Sequence, residues 1–126
     1  MEKLSKEECE ALWNGSIHEA GHVRAAQLRG IPVKSAHAKP DGGGRTIRSC
    51  SRGEKCPDEK TCEFPPKDLG PMAAAGTSAE AFFFNPGHLR MNNEDVAMLG
   101  MQCRRLGNVV GLREAFIEQS EELLIR

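Results

Sequence analysis

His18-Glu-Ala-Gly-His22 holds the residue types that a zinc centre uses, at a spacing that can bring them together. With about 3.6 residues per helical turn, positions 18 and 22 fall on one stripe of a helix, so both imidazoles can reach one ion. Glu19 is rotated away from that stripe, towards a water on the ion rather than the ion itself. His-Glu-x-x-His on a helix is the arrangement of a metallopeptidase, and the competing explanation is chance occurrence on an ordinary solvated helix.

The surrounding residues must supply that helix. Ser5 with Glu8 three positions on forms a capping box, with Leu4 as a staple residue before it. From there Cys9, Leu12, Trp13, Ile17, Ala20, Val23, Ala25, Ala26 and Leu28 recur at roughly helical intervals until Gly30 and Pro32 stop the pattern. The predicted helix covers residues 5–29. Asn14-Gly15 is its weak point, because glycine costs about 1 kcal/mol relative to alanine inside a helix, and it can divide a lead-in helix from the helix that carries the ligands.

Two short extended segments, Val33 to Lys39 and Arg45 to Ser49, flank the Pro40-Asp-Gly-Gly-Gly44 turn. Residues 50–67 read as a polar loop. An alanine-rich helix over residues 68–84, with Asp68 as N-cap, ends at Asn85-Pro86-Gly87. A further helix is predicted from Asn93 to Leu106 and a last one from Leu112 onward, and Phe116 to Arg126 is still in helical pattern where the sequence stops. The expected class is α+β, mainly α-helical, in one domain over residues 1–126: a motif helix, a small sheet or hairpin and a helical C-terminal half.

Composition fits an ordinary folded protein. Hydrophobic residues are 39% of the 126, charged residues 28%, and the formal net charge is −1, which argues against disorder and gives no electrostatic case for a nucleic-acid partner. Nothing approaches the roughly 18 to 20 apolar residues of a membrane span, and the N-terminus lacks the apolar core of a signal peptide. The expected location is cytoplasmic. Five cysteines are an odd number, and Cys50, Cys56 and Cys62 lack the close pairing of structural zinc sites. They read as loose thiols in the loop, with a second metal site or a Cys50 to Cys62 disulfide as the alternative. Cys9 and Cys103 read as small buried hydrophobes.

Outside the motif helix the candidates for a third ligand are Asp95, Glu94, Glu80, His37 and His88. Glu94 and Asp95 also suit the positive end of a helix dipole whether or not they bind metal. Glu80 sits in the apolar run Ala79 to Phe84, where an unpaired carboxylate is costly, so it is expected to accept hydrogen bonds, including one from the outer nitrogen of a ligand imidazole.

Several stretches together carry a resemblance: His18-Glu-Ala-Gly-His22-Val, then Gly30-Ile-Pro-Val running to Gly44, then Ala75-Gly-Thr-Ser-Ala-Glu80, then Asn92-Asn-Glu-Asp95-Val. In this order and at these separations they are similar to the peptidase domain of the FtsH-type membrane AAA proteases, over residues 13 to about 110. Thr77, where that family has Arg, and Glu94, where it has Asn, depart from the pattern. So does the cysteine-bearing insert. The chain has no phosphate loop, so it resembles the peptidase domain standing without its ATPase module.

The resemblance implies a zincin-like fold, one catalytic zinc ion and Asp95 as the third ligand beside His18 and His22. Three protein ligands leave one position open, as in catalytic rather than structural zinc. Glu19 is then the general base for hydrolysis of a peptide bond. Arg45, Thr46 and Ile47 on the second extended segment are candidates to align an extended substrate as an added strand, or are simply a hairpin arm. The expected substrate is a peptide or unfolded protein, cut independently of ATP, alone, as a homo-oligomer or beside a separate unfoldase. The alternative is a non-proteolytic zinc-binding module that keeps the fold to hold a partner. Glu19 separates them, because such a module has little chemical use for it.

Overall fold

In a computed structural model the described residues are 3–41, 43–48, 64–84, 91 and 93–125. The Ser5 hydroxyl accepts from the Glu8 N–H and the Glu8 carboxylate accepts from the Ser5 N–H, both at 3.0 Å. This reciprocal cap satisfies two donors that a helix start otherwise leaves open. Helix α1 then runs Lys6–Leu28 without a break. Asn14-Gly15 does not divide it, and Gly15 is buried.

Strands β1 (Val33–Ala38) and β2 (Gly44–Arg48) form an antiparallel pair, with Ala36 opposite Thr46 and an irregularity between Val33 and Ser35. Three more helices follow: α2 (Pro66–Phe83), α3 (Asn93–Arg105) and α4 (Leu112–Leu124). The described residues are thus mainly helical, with one small two-stranded sheet.

Helix α2 starts earlier than its sequence suggests. Pro65 is the N-cap and Pro66 the first helical residue, so Asp68 lies in the first turn instead of capping it. Proline suits that first position because its ring presets φ and the missing N–H would have no helical partner there. Pro71 also stays inside the helix, at the expense of one backbone hydrogen bond. Its ring is fully buried, and that packing offsets the loss.

The helices α1 and α2 run antiparallel: His22 meets Met72, Gly21 lies against Ala75 and Ala79, and His18 meets Glu80. Two apolar clusters fix this pair to the rest. Ala25, Ala26, Ile31, Leu69, Met72, Ala75 and Leu123 form one, while Ala73, Leu99 and Phe116 tie α2 to α3 and α4. The first turns of α1 lie outside both. None of the described residues before Gly15 is buried, so Cys9, which reads from the sequence as a small buried hydrophobe, is exposed, and so is Trp13. The packing against α2 begins one turn later. Cys103 is half-buried against the second cluster. Cys50, Cys56, Cys62 and His88 lie outside the described residues.

The close approach of α1 to α2 depends on residues without bulk. A Cβ at Gly21 would run into the Ala75 carbonyl and stand 2.6 Å from the Ala79 Cβ. Gly21→Ala is expected to destabilise the protein by about 1–3 kcal/mol, the usual cost of overpacking, measured by urea unfolding. Unchanged stability would contradict the closeness of this crossing.

Candidate metal centre

The helical spacing of His18 and His22 brings their rings together, edge to face, with centroids 4.8 Å apart. Both are buried, at 7% and 5% exposure, and so is Glu19 at 7%. Asp95, in the first turn of α3, reaches across to them. Its Oδ2 lies 2.7 Å from His18 Nε2 and 3.2 Å from His22 Nε2, and the two Nε2 atoms are 3.2 Å apart.

What these atoms can share follows from the other side of each ring. His22 Nδ1 is 2.7 Å from the Met72 carbonyl oxygen, which only accepts, so Nδ1 carries the proton. His18 Nδ1 meets the Glu80 carboxylate and donates likewise. In the neutral rings both Nε2 atoms are therefore left with lone pairs. They point at each other and at a carboxylate oxygen, so three acceptors converge with no donor among them. A proton or a cation placed between them would relieve that arrangement.

The donor set fits zinc. Nitrogen and oxygen ligands bound to a tetrahedral zinc at about 2.0–2.1 Å are about 3.3–3.4 Å from one another; two of the separations here are close to that, at 3.2 Å, and the third, between His18 Nε2 and Asp95 Oδ2, is a hydrogen-bond distance of 2.7 Å that an ion would have to widen. Outer hydrogen bonds such as those the histidines donate to Met72 and Glu80 commonly fix the tautomer of ligand histidines. Gly76 supplies the space. A Cβ there would stand 2.5 Å from His18 Nε2 and 2.6 Å from His22 Nε2.

The electrostatics point the same way. Burial disfavours the His18 imidazolium, but the hydrogen bonds and charges of Asp95 and Glu80 outweigh it and push His18 up to about 10. Burial likewise opposes ionisation of Asp95, and the two histidines overcome it, holding the carboxyl down at about 2. Glu19 is raised, chiefly by burial, with the histidines working against that shift. A Glu19 carboxylate oxygen and one ring nitrogen from each histidine all lie within 4.8 Å of one another. Asp95 is nearer to both rings, which leaves Glu19 beside the triad.

A cleft of about 530 Å³ opens in front of His18 and Glu19, bordered by Gly15 on α1, Gly43 and Gly44 before and at the start of β2, Glu80, and Asn93 and Glu94 on α3. Of the three residues singled out on β2, Thr46 approaches Glu19, its hydroxyl 3.5 Å from both the backbone oxygen and Oε1. Arg45 and Ile47 are on the same strand but not among the residues bordering the cleft, which instead touches the glycines before them. His37 is exposed on β1. Sequence reasoning missed Gly76, Gly44 and the Met72 carbonyl. The first had a signal, a glycine in the middle of an apolar helix, which asks for a close approach.

Comparison with protein-family models, with curated proteins and with solved structures gives no match.

Two outcomes are expected. Gly76→Ala removes no donor and favours helix, yet a methyl so placed would displace the imidazoles or crowd an ion between them. Zinc affinity should fall at least about a hundredfold, far beyond the roughly 1 kcal/mol scale of the glycine effect on the helix itself, with helical circular dichroism retained. Wild-type affinity would contradict the geometry.

The second outcome concerns protons. Because His18 is raised above its unfolded value of 6.5, its contribution to metal-free stability is complete below that pH and is lost as pH rises through about 10. Asp95 is depressed, so its contribution is present above 3.8 and is lost as pH falls through about 2. Between these limits a zinc ion bound here would have to displace the extra proton on His18. Calorimetry at pH 8 in buffers of different ionisation enthalpy should register release of about one proton per zinc, and release of none would contradict the assigned contacts.

Proposed function

We propose that the protein is a zinc-dependent metallo-endopeptidase with a zincin-like centre, hydrolysing peptides or unfolded chains. The observation that carries this reading is the convergence of three acceptor atoms, His18 Nε2, His22 Nε2 and Asp95 Oδ2, beside a buried carboxylate at the floor of an open cleft. His18, His22 and Asp95 would hold the ion. When bound, zinc supplies Lewis acidity, making water nucleophilic near neutral pH and stabilising charge that develops on a carbonyl oxygen.

The chain's own residues do the remaining work. Glu19 is buried next to the triad without being its nearest carboxylate, and burial raises its proton affinity, which suits a group that must take a proton from water and give it to a leaving amine. The Thr46 hydroxyl near Oε1 limits where that carboxylate can turn. Glu80 and the Met72 carbonyl hold the two imidazoles in the tautomer that presents Nε2 inward.

Gly44 is held against β1, where a Cβ would meet the His37 carbonyl oxygen at 2.6 Å, and the same Cβ would stand 3.2 Å from Glu19 Cγ, so this end of β2 passes close over Glu19. That passage supports a role for this end of the strand in aligning an extended backbone, with Thr46 facing the base and Arg45 and Ile47 flanking it. No described helix is long and apolar enough to cross a membrane. Resemblance to the FtsH-type peptidase domain supports the same reading, as does the coincidence of its ligand positions with the donor triad. A separate unfoldase would deliver folded proteins to the site as unfolded chains, and self-assembly is the alternative partnership.

Glu19→Gln is the decisive variant. It should keep zinc and the fold but lose cleavage of an unfolded substrate by at least about a hundredfold, because an amide cannot act as the base. Metal content and hydrolysis of a reduced, alkylated protein measure both sides. Wild-type turnover in the variant would remove Glu19 from the mechanism.

A further inference from the structure

Among the described residues, the cleft carries more negative charge than one dication offsets. Glu19, Glu80 and Glu94 border it, and Asp95 adjoins them on His18. No Lys or Arg borders it among the described residues, and its other walls include small residues such as Gly15, Gly43 and Gly44. A metal of charge two therefore leaves two carboxylates uncompensated. A concave site lined by one sign of charge focuses the field and raises the local concentration of ligands of the opposite sign.

The four carboxylates are not equivalent. Asp95 and Glu80 are engaged by His18, and Glu19 is buried. Glu94 is the exposed one, one residue before Asp95 on the rim. Its place in the first turn of α3 suits the helix dipole, but that role does not require it to border the cleft. The small walls leave room for a long side chain beside it, and none of the described residues bordering the cleft is a large aliphatic residue, Phe or Trp.

We propose that this cleft selects substrates bearing an ammonium or guanidinium group next to the reacting bond, and that Glu94 sets the preference. The inference rests on the peptidase reading of the same site. The cation has two possible sources, a Lys or Arg side chain or the α-ammonium of the peptide, and the site chemistry is common to both.

The test uses the zinc-loaded protein and internally quenched peptides identical except for Lys, Gln or Glu beside the single cleavable bond, each with a free and an acetylated N-terminus. The Lys peptide should exceed the Glu peptide in kcat/KM by about tenfold or more at low salt, with the difference shrinking at high salt, as expected for charges near a surface. A preference that survives acetylation assigns the cation to the side chain, and one that follows the free terminus assigns it to the α-ammonium. Glu94→Gln should shrink the Lys-to-Glu ratio towards one and Glu94→Lys should invert it, with unfolding midpoints confirming that both variants fold.

A ratio equal in wild type and Glu94→Gln overturns the proposal. Binding of the same peptides to Glu19→Gln protein, followed by fluorescence anisotropy, separates it from the reading beneath it. Charge-selective binding that depends on Glu94, with no hydrolysis by wild type, would remove the peptidase reading and keep the inference. Hydrolysis with no charge preference would do the reverse.

Discussion

Three lone pairs aimed at one point are the constraint on which the rest of this structure depends. His18 Nε2, His22 Nε2 and Asp95 Oδ2 approach one another to between 2.7 and 3.2 Å, with both imidazoles buried. Acceptors brought this close repel unless a positive charge lies between them, and burial strengthens that repulsion. The fold holds them together from outside, through the Met72 carbonyl and the Glu80 carboxylate. Those contacts decide which nitrogen of each ring is bare, so the demand for a positive charge is built by the outer partners as much as by the three inner atoms.

Helix α2 is the element that makes this possible. It gives one histidine a backbone oxygen and the other a side-chain carboxylate, and between them it presents Gly76, whose missing Cβ leaves the space beside both Nε2 atoms clear. Alanines and glycines along the crossing bring α1 close enough for all three contacts at once. The same helix reaches α3 through Ala73 and Leu99, and so sets the position from which Asp95 enters. Packing and chemistry are carried by one helix, whose small residues serve both.

The parts of the site governed by local rules were legible in the sequence. His18 and His22 are joined by helical periodicity, the Ser5 and Glu8 cap by the reach of two side chains, and Glu80 by the need of a carboxylate in an apolar run to find a partner. Asp95 lies 77 positions from His18, and no local rule connects them, so only the resemblance pointed to it. Gly76 was harder still, because its role is an absence measured against atoms of another helix. Periodicity alone does not decide burial: the apolar period continues along α1 through Trp13, yet α2 ends at Phe83 and Trp13 is exposed. The start of α2 failed because proline can open a helix as well as end one.

X-ray absorption at the zinc edge, on protein loaded with one equivalent of zinc, tests the central claim most directly. The account predicts a shell of nitrogen and oxygen at about 2.0–2.1 Å, with the multiple-scattering signature of two imidazoles and no sulfur. A sulfur shell at about 2.3 Å would move the metal to the cysteines, and failure to retain zinc at all would mean that the converging atoms of His18, His22 and Asp95 are relieved by a proton alone.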